Sequence, residues 1–111
     1  MIEFLVIVQG TGKKIDQTAE AIQERVKAYQ AWADSIGSNY VSGQRLEKEG
    51  RHISSQGEKK SVRSDGPYLE TKELVAGFIL IKADNFEHAT SLIDSCPLLE
   101  YWDLIIRKIV T

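Results

Sequence analysis

At 111 residues the chain has the length of one domain, read here as spanning 1–111, enough to bury a single core and too short for two. Its 14 basic and 16 acidic residues are interspersed and leave a net charge of −2, which removes the electrostatic case for nucleic acid or an anionic membrane as partner. The single cysteine, Cys96, and two separated histidines exclude an internal disulfide and any zinc or iron–sulfur spacing, so a reducing, cytoplasmic setting with no metal and no cofactor is expected.

The run Ile2 to Val8 is apolar but only about seven residues long and lacks a basic flank, so it reads as a first strand, not an export signal or a membrane span. Both of its alternating sets are apolar, with Ile2, Phe4, Val6 and Val8 on one side and Leu5 and Ile7 on the other. Gly10-Thr11-Gly12-Lys13-Lys14 follows as a loop. It stands where a phosphate loop would, yet it lacks the four residues between glycines and the Gly-Lys-Ser or Gly-Lys-Thr ending. Asp16 is placed to cap a long helix, in which Ile15, Ala19, Ile22, Val26, Tyr29, Ala33 and Ile36 recur at spacings of four and three as one stripe, and Gly37 ends it.

Tyr40 to Glu47 and Arg51 to Arg63 read as exposed hairpin or edge strands, the second interrupted by a turn at Gln56-Gly57-Glu58. Ser64-Asp65-Gly66-Pro67 is a strong turn, since Asp bonds its own downstream backbone, Gly accepts positive φ and Pro fixes the exit. Gly77 to Ala83 is a second strand apolar on both faces. A second helix follows with Asp84 and Glu87 at capping-box spacing, an apolar face of Phe86, Ala89, Leu92, Ile93 and Cys96, and Pro97 beyond its end. His88 falls on its polar side with Ser91 and Ser95 and is given no role. A last strand runs from about Asp103 to Val110.

The order β-α-β-β-β-α-β is one hairpin extension beyond the ferredoxin-like pattern and predicts an α+β sandwich, an antiparallel sheet with two helices on one face. Two helices cover only one face of such a sheet, whereas its central strands are apolar on both. A second copy packed sheet to sheet would bury the remainder, so a homodimer through the sheet face is expected.

The stretch Asp65-Gly66-Pro67-Tyr68-Leu69-Glu70-Thr71-Lys72-Glu73, followed by Gly77-Phe78-Ile79-Leu80-Ile81, resembles the signature of the YCII-related family in its DGPF branch, with Tyr68 in place of Phe. The resemblance implies a ferredoxin-like α+β subunit that dimerises through its sheet as a dimeric α/β barrel, with a pocket near the sheet and the Asp-Gly-Pro turn. Some members resemble dehydrochlorinase-like enzymes, and others occur with extracytoplasmic sigma factors. Members of the YCII type carry a first-helix histidine proposed to work with an aspartate; Asp16 to Ile36 contains none.

Asp65 is the leading candidate for catalysis, as a general base at a turn which the resemblance places beside the pocket; its other reading is an Asx-type turn residue. His52 is the second catalytic candidate, suited by its ordinary titration range to proton transfer if its strand lines the pocket, and otherwise an exposed strand residue. Arg45, Tyr29 and Trp102 offer a cation and aromatic walls to an anionic or aromatic ligand, although the helix stripe alone explains Tyr29 and packing explains Trp102. Tyr68 joins the ligand-binding candidates beside the turn. Cys96 reads as a buried thiol with no base beside it. Two functions follow: a dimeric small-molecule-binding domain, with cofactor-free proton transfer or elimination on a small organic substrate, or a non-catalytic interaction or regulatory module, sigma-factor-associated, using the edge strand Tyr40 to Glu47.

Overall fold

In the computed structural model, which describes residues 1–10, 15–54, 61–63 and 74–111, the two runs with apolar residues on both sides become the adjacent central strands of one sheet. The elements are β1 (Ile2–Gln9), α1 (Ala19–Ile36), β2 (Tyr40–Arg45), β3 (His52–Ser54), β4 (Ser61–Arg63), β5 (Val75–Ala83), α2 (Phe86–Asp94) and β6 (Asp103–Lys108), with 3₁₀ turns at Gly37–Asn39 and Pro97–Glu100. The main sheet has the order β2-β5-β1-β6 and is antiparallel at every junction. With α1 and α2 inserted between strands that are not neighbours, this is the ferredoxin-like α+β arrangement. It has one strand more than expected, because Arg51 to Arg63 contains two short strands, β3 and β4, paired with His52 opposite Arg63 in a separate sheet. The turn expected at Gln56-Gly57-Glu58 lies outside the described residues.

Strand alternation decides which residues make the core. Phe4 pairs with Ile81 and Val6 with Ile79 across β1 and β5, and these residues, with Val8 and Ala83, are at most 5% exposed. They meet Trp32 of α1, Ala89 and Ile93 of α2, and Cys96, so both helices lie on this one face. Each large aliphatic side chain so buried contributes about 1.5–3 kcal/mol. The opposite face pairs Leu5 with Leu80, Ile7 with Phe78, and Ile7 with Ile105. Among the described residues it carries no helix; its residues are only half-buried and Ile105 is 38% exposed.

Both helix caps fall later than expected. The cap of α1 is Thr18, whose Oγ1 accepts from Ala21 N at 3.2 Å; Asp16 instead accepts from Thr18 N at 2.8 Å, turning the chain toward the cap. The cap of α2 is Asn85, whose Oδ1 accepts from His88 N at 2.8 Å, while His88 Nδ1 accepts from Asp84 N at 3.0 Å. His88 therefore has a structural role: its imidazole takes the place of the usual Glu or Gln, reaching back past the cap residue to the N–H of Asp84 in a variant of the capping box. The same Nδ1 stands 3.6 Å from Asp84 Oδ2. Gly37 ends α1 as expected, with φ +57° and its N–H directed to the Ala33 and Asp34 carbonyls.

The cap geometry gives a direct test. Asn85→Ala is expected to cost about 1 kcal/mol of stability, and Asp84→Ala much less, since Asp84 supplies only its backbone N–H to the cap. Urea denaturation of the two variants measures this, and a larger loss in Asp84→Ala would return the cap to that residue.

Candidate functional site

The apolar stripe of α1 does not close onto the sheet along its whole length. Near its C-terminal end Trp32 is 5% exposed and its indole N–H donates to the Leu92 carbonyl of α2 at 3.0 Å. Toward the other end the helix stands away from the strands: Val26 is 46% exposed and Ala19 is exposed. Ile22, Val26, Tyr29 and Ala33 instead wall a cavity of about 520 Å³, floored by Val8, Gly77 and Ile79 and closed on a third side by Leu98, Tyr101 and Trp102. The spacing of the stripe identified the correct helix face, but that face is the wall of a chamber over much of its length.

A few polar groups interrupt this lining. Tyr29 Oη and Tyr40 Oη are 2.9 Å apart, and the rings of Tyr29, Trp32 and Tyr40 pack with centroids 5.6 to 6.1 Å apart. Arg25 Nη1 donates to the Asp16 carbonyl at 2.6 Å while its guanidinium carbon lies 5.8 Å from the centroid of the Tyr101 ring, so it ties the entry of α1 to the segment after α2. Arg45, at the end of β2, lines the same cavity from an exposed position.

A β-bulge brings Tyr40 to the cavity. Tyr40 and Gly43 are three residues apart and would point to opposite faces of a regular strand. Across from β5, however, Tyr40 pairs with Ile81, Ser42 with Leu80 and Gly43 with Ile79, so Val41 is the extra residue and both Tyr40 and Gly43 fall on the helix-covered face. Gly43 leaves room for both hydroxyls: a Cβ there would stand 2.6 Å from Tyr29 Oη and 2.9 Å from Tyr40 Oη, so the pair would have to shift.

The electrostatics follow from burial. Desolvation, then the hydrogen bond with Tyr40, pushes the Tyr29 hydroxyl well above the usual tyrosine range, so it is a neutral donor at any physiological pH. The Asp16 carboxyl is held below its usual range by the backbone N–H of Thr18. Among the described residues, no group of His, Cys, Asp or Glu is arranged to hold a metal ion, and no helix is long and apolar enough to cross a membrane.

Of the residues singled out from the sequence, Tyr29, Arg45 and Trp102 come together on the cavity. His52 lies on β3, paired with Arg63. Asp65 and Tyr68 lie outside the described residues. Sequence reasoning missed Arg25, Tyr40 and Tyr101. Arg25 could have been found, since it sits four residues before Tyr29 on the same side of the helix. Nothing in the sequence announces Tyr40, because its pairing with Tyr29 depends on the bulge.

A family model, the YCII-related domain, matches residues 3–110. Among solved structures the chain is similar to 5-chloro-2-hydroxyhydroquinone dehydrochlorinase (TftG) from Burkholderia phenoliruptrix AC1100, in its complex with 2,5-dihydroxybenzoquinone. The two have a TM-score of 0.52 and 13% sequence identity over 98% of this chain and 94% of that one, a likeness of fold. No curated protein matches the chain.

Cys96 borders this region without the character of a nucleophile. It is 3% exposed, and burial pushes its thiol up from an ordinary value of 9.0 to about 11. A raised folded-state value means the neutral thiol stabilises the fold fully below about pH 9, and that contribution is lost as pH rises toward 11. Native protein at pH 8 should therefore react with a chromogenic disulfide at least about tenfold more slowly than the urea-unfolded chain. Equal rates would show an accessible, activated thiol.

Proposed function

The chain belongs to the YCII-related family, and on that premise we propose that it is a small-molecule-binding domain that works as a homodimer, with its ligand held between α1 and the sheet. The observation that carries this reading is the cavity itself. Its volume of about 520 Å³ suits a small organic molecule, its exposed lining is mainly aliphatic and aromatic, and its polar side chains, Tyr29, Tyr40, Arg25 and Arg45 among them, differ in kind. The apolar face of the 18-residue helix lines this space over much of its length. The ligand of the structural neighbour, a hydroxylated quinone, supports a small, flat, oxygenated six-membered ring as the class to try first.

In the enzymatic form of this proposal the reaction is cofactor-free proton transfer or elimination. Asp65 acts as general base, His52 or Arg45 assists, and Tyr29 and Tyr68 hold the ligand. A second reading, a non-catalytic interaction module, is favoured by one observation: β2 is an edge of the main sheet and carries the 41% exposed Val41 at its bulge. The dimer would use the uncovered face, where Leu5, Ile7, Phe78, Leu80 and Ile105 form a continuous apolar surface.

Light scattering after size exclusion should give twice the 12.5 kDa chain mass, and Leu80→Glu should give a monomer; a well-folded wild-type monomer would overturn the dimer. A thermal-shift screen of small phenols, quinones and organic acids should yield compounds that raise the melting temperature of the wild type and raise that of Asp65→Asn less. Equal shifts would remove Asp65 from binding, and a screen without any hit would favour the interaction module.

A further inference from the structure

The cavity contains one polar feature that its packing does not require. Tyr29 and Tyr40 come from different elements, α1 and β2, and each ring is already held by Trp32, yet both carry a hydroxyl and the two hydroxyls meet at 2.9 Å. Both are half-buried and both line the cavity. Two phenylalanines would fill the same ring positions without bringing polar atoms into an apolar wall. The backbone also makes room for these oxygens, through the Val41 bulge that turns Tyr40 inward and through Gly43, whose missing Cβ leaves space for them.

Building on the ligand-cavity reading, we infer that the Tyr29–Tyr40 hydroxyl pair is the polar anchor of the cavity and selects a flat apolar ligand carrying a neutral hydroxyl or carbonyl oxygen. Two hydroxyls have two protons and four lone pairs. The bond between them uses one proton and one lone pair. The remaining proton is available to a ligand oxygen, and the remaining lone pairs can accept from a ligand O–H. A carbonyl satisfies the first of these, and a phenolic hydroxyl satisfies both.

The surroundings of the pair favour a neutral oxygen over an anion. No cation lowers Tyr29: the influences on it are burial, the Tyr40 hydroxyl and the Cys96 thiol, all of which raise it. Of the two arginines on the cavity, Arg25 is engaged with the Asp16 carbonyl and stacked near Tyr101, and Arg45 lies exposed at the end of β2. An anionic oxygen set against the tyrosines would lose its hydration with no positive charge contributed by either hydroxyl.

The test uses two probes of the same shape, 4-fluorophenol and 4-fluorotoluene, followed by fluorine NMR titration against wild type, Tyr29→Phe/Tyr40→Phe, and Gly43→Ala. In the wild type both probes bind. In the double Phe variant the phenol weakens about tenfold relative to the toluene, the effect of losing one hydrogen bond in a desolvated site, while the toluene is held as before. Gly43→Ala gives the same relative loss by displacing the pair, and it serves as the second variant should the double substitution fail to fold, which thermal melting reports. An unchanged ratio of the two affinities in a folded variant overturns the anchor and leaves the ligand-cavity reading intact. Failure of both probes to bind the wild type overturns the ligand-cavity reading and the anchor with it.

Discussion

Much of this structure depends on how Trp32 fixes one end of α1. An indole is the largest side chain available and its N–H needs a partner once buried. The Leu92 carbonyl supplies that partner from the last turn of α2, where helix carbonyls lack intrahelical donors. One residue thus joins the two helices to each other and to the Phe4, Ile79 and Ile81 layer of the sheet. With this end held close, the rest of α1 is free to diverge, and the Arg25 contacts to Asp16 and Tyr101 set its position at the far end. The cavity is the space left between these two points of attachment.

The sheet imposes the second condition. From Gly77 onward β5 has Gly77, Ile79, Ile81 and Ala83 beneath the helices, and Phe78 and Leu80 on the other side, so every second residue serves a different neighbour. A slip of one residue would exchange the two sets. The helix-covered set is buried almost completely, and the opposite set only in part. That asymmetry is why both strands read as apolar on both faces, and why the uncovered face is the natural place for a second copy in the function proposed above.

How much of this could be read from the sequence depended on whether the signal was periodic or tertiary. The central strands and both helices were legible because burial on a defined face imposes a period of 2 or 3.6 on composition. Their caps were placed one or two residues early, since Asp16 and Thr18, and likewise Asp84 and Asn85, are neighbouring residues of cap-forming type. Only the path of the backbone decides which side chain reaches the second or third N–H of the helix. Trp32 was overlooked although it stands three residues after Tyr29 and four before Ile36, because it flanks the main stripe. The stripe itself showed which residues share a face but carried no measure of the distance to the opposing sheet, so it explained Tyr29 as core and left its place on a ligand wall to chemical type alone. Arg45 and Trp102 were recognisable by chemical type, whereas Tyr40 was not, because no local rule predicts a bulge at Val41.

That bulge links the architecture to the site. Without it, Tyr40 and Gly43 would face opposite sides of β2, and either the hydroxyl or the space that accommodates it would be lost to the cavity. With it, the edge strand bends at the point where the helix has begun to diverge, and an aromatic ring that could have remained on the sheet surface is turned in to meet Tyr29. The extra residue leaves Val41 41% exposed on an outer strand, a cost in apolar exposure that the fold of the sheet alone does not explain. The two tyrosine hydroxyls are what the bulge brings together, on a mainly apolar wall between the helix and the sheet.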